Sequence, residues 1–156
     1  MRTLIAFYSK TGNTERTANL IADGLQKAKP ECKVVFQRLL PLKKFKLKKT
    51  EVKLKDCLDD WNGFDLVIIG SPVRNFSSHR VVNAYLKQCK NIKGKKAALF
   101  LTCMAMPGKA IKKMSGMINA EGGEIIDYLV LSGLIGLSDK KLEKAREFGE
   151  KLPKNI

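Results

Sequence analysis

Hydrophobic residues recur along the chain in short continuous runs that alternate with stripes of helical spacing. Five runs predict strands, most of them buried on both faces, at Thr3–Tyr8, Lys33–Arg38, Phe64–Ile69, Ala97–Leu101 and Glu124–Leu131. Strands that alternate with helices in this order predict right-handed crossovers and a parallel sheet covered on both faces. The pattern therefore predicts a three-layer α/β fold.

Apolar residues spaced three and four apart predict five helical segments between and after these strands. The first contains Ala18, Ile21, Leu25 and Ala28 and is ended by Pro30, and the second is a short helix up to Trp61. The third contains Val82, Tyr85, Leu86 and Cys89 and is capped by Ser77 or Ser78. The fourth contains Ile111, Met114 and Ile118, between Pro107-Gly108 and Gly122-Gly123, and the fifth contains Leu142, Ala145, Phe148 and Leu152 and is capped by Ser138. The lysine-rich stretch from Pro41 to Lys55 has no firm assignment and is interpreted as a solvated loop.

The size of the chain suits one domain. It has 156 residues, of which 44% are hydrophobic, and it shows no internal repeat and no linker, so we predict a single domain over residues 1–156. No apolar run approaches the roughly 18 residues of a membrane span, and the run Leu4–Tyr8 lacks the cleavage site of a secretory signal. We therefore expect a soluble cytoplasmic protein, and free thiols at its four cysteines because no CxxC pair is present.

The charge is unevenly distributed. Thirty basic residues against 15 acidic ones give a net charge of +15, and two-thirds of that excess lies between Leu66 and Ala120, a segment without Asp or Glu. A general preference for lysine would raise the total, but it would not remove every acid from one segment. The basic segment therefore predicts an anionic partner or substrate.

Parallel sheets bind ligands beyond the carboxyl ends of their strands, where the strand order reverses. The loops after the first, third and fourth strands are therefore the places to search for chemistry. The first of them, directly before a helix, consists of Ser9, Lys10, Thr11, Gly12, Asn13 and Thr14. Hydroxyls, backbone N–H groups and the helix dipole bind anions at such a place, which predicts a phosphate cradle; the alternative is an ordinary N-cap with a glycine turn.

This loop lacks the signatures of other phosphate sites. It contains neither GxGxxG nor GxxxxGK[ST], so a Rossmann dinucleotide site and a P-loop are excluded. The first and third strands end in Ser9 and Gly70-Ser71, without the carboxylates that would hold Mg²⁺, and no cysteine nucleophile is present in the loop. We predict no metal site.

The segment Phe7–Thr14, FYSKTGNT, closely resembles the FMN phosphate loop of the flavodoxin-like proteins, and the order of elements agrees over essentially the whole chain. The resemblance implies a five-stranded parallel sheet in the order 2-1-3-4-5 and FMN as the cofactor. It also implies that the loops after the third and fourth strands hold the isoalloxazine ring. The residues so implied are Ser71, Pro72, Val73, Arg74, Asn75 and Phe76, then Thr102, Cys103, Met104, Ala105 and Gly108.

Two features set this chain apart from typical flavodoxins, which tend to be acidic. Its flavin loops lie in the basic segment, and Phe76 is their only aromatic residue. We therefore predict an FMN-binding electron-transfer protein with a raised reduction potential, whose basic face meets an acidic redox partner or an anionic small substrate. The alternative is an FMN-dependent NAD(P)H oxidoreductase of the quinone or porphyrin type. A nucleic-acid or anionic-surface binder would explain the charge but not the first loop.

Several single residues near these loops carry more than one interpretation. Arg74 either bonds the flavin or an anionic substrate, or it is a surface residue. His79, the only histidine, is predicted to be a surface helix residue, with a proton donor to reduced flavin as the alternative. Cys103 is predicted to contact the flavin through its backbone, and Met104 and Met106 to supply apolar contacts to the ring or the core.

Overall fold

The computed structural model describes residues 1–42, 51–133 and 136–156. Its elements are β1 (Arg2–Phe7), α1 (Asn13–Ala28), β2 (Lys33–Arg38), β3 (Leu66–Arg74), β4 (Ser77–Ser78), α2 (Arg80–Gln88), β5 (Lys96–Cys103), α3 (Ala110–Ala120), β6 (Glu124–Ser132), α4 (Asp139–Lys151) and a 3₁₀ turn (Leu152–Asn155). Most of the predicted lysine-rich loop, residues 43–50, lies outside the described residues.

The sheet has the predicted architecture. Five parallel strands run in the order β2-β1-β3-β5-β6, and the two-residue strand β4 pairs antiparallel with the end of β3. Helices α1 and α4 pack against each other on one face, and α2 and α3 cover the other. Among the described residues, no helix is long and apolar enough to cross a membrane.

The continuous apolar runs exist because both faces of the central strands are buried. Along β1, Leu4 and Ala6 belong to the core under α2 and α3, whereas Ile5 and Phe7 belong to the core under α1 and α4. Burying a side chain of leucine or phenylalanine size contributes roughly 1.5–3 kcal/mol. The sheet is therefore held from both sides, and its carboxyl edge is a rigid base for the loops.

The short helix predicted to end at Trp61 is wrong, because residues 51–60 contain no helix. Their polar groups pair with distant parts of the chain instead of within a helical turn. The N–H of Leu58 donates to Oε1 of Gln37 at 3.0 Å, and the Leu58 carbonyl accepts from the hydroxyl of Tyr85 at 2.7 Å. The domain therefore has four α-helices among its described residues.

The third strand and the helix after it also differ from the prediction. Strand β3 continues through Arg74, so four of the six predicted residues of the second loop, Ser71–Phe76, are strand, and the chain then turns back into β4. Ser77 and Ser78 pair with β3, and neither of them caps α2. The cap is His79, whose Nδ1 accepts from the N–H of Val81 at 3.2 Å.

Candidate functional site

A cavity of about 170 Å³ lies at the carboxyl ends of β1, β3 and β5. Its walls come from all three predicted loops, from the cap of α2 and from the segment after β6. The lining residues are Tyr8, Lys10, Thr11, Asn13, Thr14, Pro72, Val73, Arg74, His79, Thr102, Cys103, Met104, Gly133 and Leu137. The structure therefore brings the three loops together around one space.

The first loop presents the open N-terminus of α1 to this space. Its N-cap is Gly12, in a left-handed conformation with φ +100°, and no side chain of the described residues caps the helix. A Cβ atom at Gly12 would meet no heavy atom within 4 Å, so the backbone here borders open space. Unpaired N–H groups at the positive end of the helix dipole favour a bound anion.

Bonds within the protein fix the shape of this loop. The N–H of Gly12 donates to Oγ of Ser9 at 3.1 Å, and the guanidinium of Arg38 donates to the Ser9 carbonyl at 3.0 Å. The same guanidinium bonds Glu15 in the first turn of α1 at 2.7 Å. Because Ser9 is buried and already bonded, its hydroxyl shapes the loop instead of facing the cavity.

A buried pair of hydroxyls joins the first loop to the third. Oγ1 of Thr14 lies 2.7 Å from Oγ1 of Thr102, and both side chains are buried. Each hydroxyl carries one proton, so the one that accepts in this bond keeps its own proton. Since both residues line the cavity, that O–H is a potential donor to a ligand.

The second loop is a hairpin whose tip is locked to α3. Asn75 and Phe76 both have left-handed backbones, with φ +49° and +57°, the pattern of a two-residue type I′ turn. The N–H of Lys109 donates to the Phe76 carbonyl at 2.8 Å. Gly108, with φ +56°, packs so closely that a Cβ atom there would lie 2.3 Å from the same carbonyl oxygen.

Ser71, at the base of this hairpin, is fully buried and bonded within the protein. Its Oγ donates to the Pro72 carbonyl at 2.8 Å and accepts from the N–H of His79 at 2.9 Å. Ser71 therefore positions the hairpin against α2, and it does not line the cavity.

His79 is buried, so its prediction as a surface residue is wrong. Only 9% of it is exposed, and its ring stacks on Tyr8 with the centroids 4.2 Å apart. The bond from Val81 makes Nδ1 an acceptor, which places the proton of the neutral ring on Nε2. Its stacking partner Tyr8 directly follows β1 and is 71 positions away in sequence.

The cavity is electrostatically positive. Lys10 and Arg74 line it, and none of its described lining residues is acidic. Burial first, and then the positive charges of Arg74, Arg80 and Lys10, lower the pKa of His79 to about 4. The histidine is therefore neutral at pH 7. The positive charge of the cavity comes from Lys10 and Arg74.

Cys103 is not an activated thiol. Burial raises its pKa, an effect that the nearby Lys141 opposes only in part, so the thiol stays protonated at pH 7. Its carbonyl accepts from the N–H of Gly133 at 3.0 Å, which ties β5 to the segment after β6.

Comparisons with known proteins were made on this basis. No family model matches the chain, and no curated protein matches it. A solution structure of two-electron reduced Megasphaera elsdenii flavodoxin is 22% identical, covers 97% of this chain and 98% of its own, and has a TM-score of 0.71. This chain has the flavodoxin-like fold.

Two further structures of this fold extend the comparison. A Lactobacillus acidophilus NCFM flavoprotein in complex with FMN is 21% identical, over 83% of this chain and 92% of its own, with a TM-score of 0.61. The azoreductase AzrA is 14% identical, over 97% of this chain and 100% of its own, with a TM-score of 0.69. The solved structures that match this chain therefore include both a flavodoxin and an azoreductase.

Not every residue predicted as a cofactor contact lines the cavity of this flavodoxin-like fold. Gly12 is not a lining residue, although its neighbours Thr11 and Asn13 are, and Ala105 and Gly108 lie in the β5–α3 loop outside the lining. Asn75 and Phe76 line a different space, on the other side of the hairpin. Their contact with a cofactor stays a prediction.

Four lining residues are not among the predicted cofactor contacts, although His79 is considered as a proton donor to the flavin. They are Tyr8, His79, Gly133 and Leu137. The parallel order of the sheet contained a signal for the last two, because β6 ends at the same edge as β5. Tyr8 closes the first strand and directly precedes the phosphate-type loop, so its place at the cavity was also readable.

Proposed function

We propose that this protein binds FMN in the cavity and serves electron transfer. The observation that carries the proposal is the open N-terminus of α1 behind Gly12, which faces a positive cavity shared by all three loops. Flavodoxin-like neighbours support it, and one of them is a structure in complex with FMN. Phosphate recognition by backbone N–H groups needs no further residue.

Different lining residues suit the phosphate and the ring of FMN. Thr11, Asn13 and Thr14 would hold the phosphate, while Pro72–Arg74 and Thr102–Met104 would contact the ring. Cavities that enclose a drug-sized ligand measure roughly 300–1,000 Å³, so a cavity of about 170 Å³ encloses only a part of FMN. The rest would lie at the surface near Met104, which is 68% exposed.

When bound, FMN would supply the redox chemistry, and the chain supplies binding, orientation and electrostatics. Lys10 and Arg74 favour any negative charge that arises in the cavity, which raises the reduction potential relative to an acidic surround. Potentiometric titration beside an acidic flavodoxin tests this. A potential equal to or below that of the acidic protein would contradict the electrostatic argument.

The second candidate function is an FMN-dependent NAD(P)H oxidoreductase. The observation that favours it is the match to an azoreductase over 97% of this chain. Steady-state oxidation of NADH and NADPH by the FMN-loaded protein, with and without a quinone, separates the two candidates. Turnover that saturates with either nucleotide would favour the enzyme, and its absence would favour the electron carrier.

Flavin titrations test the proposed site directly. The stripped protein is titrated with FMN, riboflavin and FAD while flavin fluorescence is followed. Charge-assisted hydrogen bonds contribute roughly 1.5–3 kcal/mol each, so FMN should bind at least about a hundredfold more tightly than riboflavin. Equal affinities would refute the phosphate site, and a failure of all three to bind would refute the proposed function.

A further inference from the structure

A groove of about 930 Å³ lies on the other side of the β3–β4 hairpin, against α3. We call it the α3 groove; its walls include Phe76, Lys109, Lys112, Lys113 and Met117. It begins one residue beyond the cavity, because Arg74 lines the cavity and Asn75 lines the groove.

The charge of the α3 groove is strongly positive and unpaired. Lys109, Lys112 and Lys113 are exposed, and none of them takes part in an ion pair within the described parts of the chain. They lie at the N-terminus of α3, whose first turn contains no acid. Lysines at this end oppose the helix dipole, so their placement costs stability and favours an anionic occupant.

Phe76 is placed in the groove at a second cost to stability. It occupies the second position of the type I′ turn with φ +57°, where glycine is the favoured residue, and 68% of it is exposed. A bulky residue in this conformation is a true outlier. Aromatic residues, phenylalanine among them, are enriched at the cores of protein interfaces.

We propose that the α3 groove docks an acidic protein, with Phe76 as the apolar anchor and the three lysines paired to carboxylates. The inference rests on the proposed function for the role of this protein as a redox partner, since a partner seated here would lie beside the FMN cavity. The apolar lining residues, which include Met117 and Ala120, suit a protein more than a nucleic acid, which needs an extended row of phosphate contacts.

Binding of an acidic plant-type ferredoxin tests the groove. Calorimetry at 20 mM and 300 mM salt compares the FMN-loaded protein with K112E/K113E and with the control K90E/K93E. The control changes the net charge equally, in the same acid-free segment, at exposed lysines beside the amino end of β5. We expect K112E/K113E to weaken binding at least about tenfold at low salt and the control to weaken it less than about twofold.

A second variant separates docking from folding. Phe76→Gly removes the ring and relieves the left-handed backbone, so it should weaken ferredoxin binding severalfold while raising the midpoint of thermal unfolding. No ferredoxin binding at 20 mM salt, or equal losses in K112E/K113E and K90E/K93E, would overturn the proposal. So would tighter binding of a 20-nucleotide oligothymidylate at the same lysines.

The flavin titrations keep the two proposals apart. K112E/K113E should bind FMN within about twofold of the parent protein, because neither of these two lysines lines the cavity. If the parent protein binds no flavin, the proposed function fails, and the ferredoxin titration is then read on the flavin-free protein for docking alone.

Discussion

The cavity and the α3 groove lie on opposite sides of one hairpin and are built differently. In the cavity, Thr14 and Thr102 are buried and bonded to each other at 2.7 Å, beside exposed polar residues that include Lys10 and Arg74. In the groove the charged side chains of Lys109, Lys112 and Lys113 are exposed and form no ion pair in the described structure.

This difference indicates two kinds of ligand. Buried, bonded groups hold their positions before a ligand arrives, which lowers the entropy cost of binding a small molecule. Exposed lysines have no such fixed geometry, and they attract a large anionic surface over a distance. A single hairpin, Val73 to Ser78, therefore separates the cavity from an exposed basic surface at which we expect an acidic partner to bind.

The largest effect is expected where the hairpin is attached. Gly108→Ala places a Cβ atom 2.3 Å from the Phe76 carbonyl oxygen, in a backbone with φ +56°. We expect a loss of about 2–4 kcal/mol in the free energy of unfolding, measured with urea, and weaker binding of both FMN and ferredoxin. An unchanged stability would show that the hairpin tip is not fixed to α3.

The next effect concerns the buried histidine of the cavity. The pKa of His79 is about 4 in the folded protein and near 6.5 in the unfolded chain, so the unfolded chain binds more protons between these values. The free energy of unfolding is therefore unaffected by His79 above about pH 6.5. As the pH falls toward 4, it decreases by roughly 2 kcal/mol after allowance for solvent screening. Urea unfolding at pH 7, 5.5 and 4.5 measures it.

His79→Asn is the control for this pH dependence. Asparagine keeps an N-cap acceptor for the N–H of Val81 but does not titrate in this range. The stability difference between parent and variant should therefore shrink as the pH falls. Parallel pH profiles for the two proteins would contradict the buried, neutral histidine.

Alanine substitutions at two comparable glycines, Gly12 and Gly94, test the role of the phosphate loop. Gly12 and Gly94 have φ of +100° and +73°, and a Cβ atom at either would meet no heavy atom within 4 Å. Alanine at each position should therefore cost about 1 kcal/mol through backbone strain alone. Only Gly12→Ala should weaken FMN binding, about tenfold, with riboflavin unaffected, because only this loop faces the cavity. Equal FMN affinities in the two variants would remove the loop from the site.

The smallest effect is a gain in stability. Phe76→Gly should raise the free energy of unfolding by about 1 kcal/mol, because glycine adopts φ +57° without strain and the exposed ring contributes little packing. Urea unfolding of the two proteins measures it. A loss of stability would show that the ring is part of the fold and not an anchor for a partner.

The fold was predictable because its strands are buried on both faces. Continuous apolar runs such as Leu66–Ile69 indicate that burial directly, and the glycine-containing loop before α1 indicates a helix N-terminus. The segment 51–60 was not predictable, since its order comes from bonds to Gln37 and Tyr85, which are distant in sequence.

The cavity was predicted better than its surroundings, for the same physical reason. Its loops follow the strands directly, so the sheet alone brings them together. The burial of His79 depends on its contact with Tyr8, and the hairpin turn at Asn75-Phe76 lacks the glycine that usually marks one. The lysines of α3 were visible as charge, but their position against Phe76 needs the tertiary structure.

We infer that one hairpin separates two sites with different ligands. The most direct test measures FMN affinity and ferredoxin affinity on the same two variants, Gly12→Ala and K112E/K113E. We expect Gly12→Ala to lose about tenfold in FMN affinity and to keep ferredoxin binding, and K112E/K113E to lose ferredoxin affinity and keep FMN binding. Two variants that each lose both ligands, or that each keep both, would contradict it.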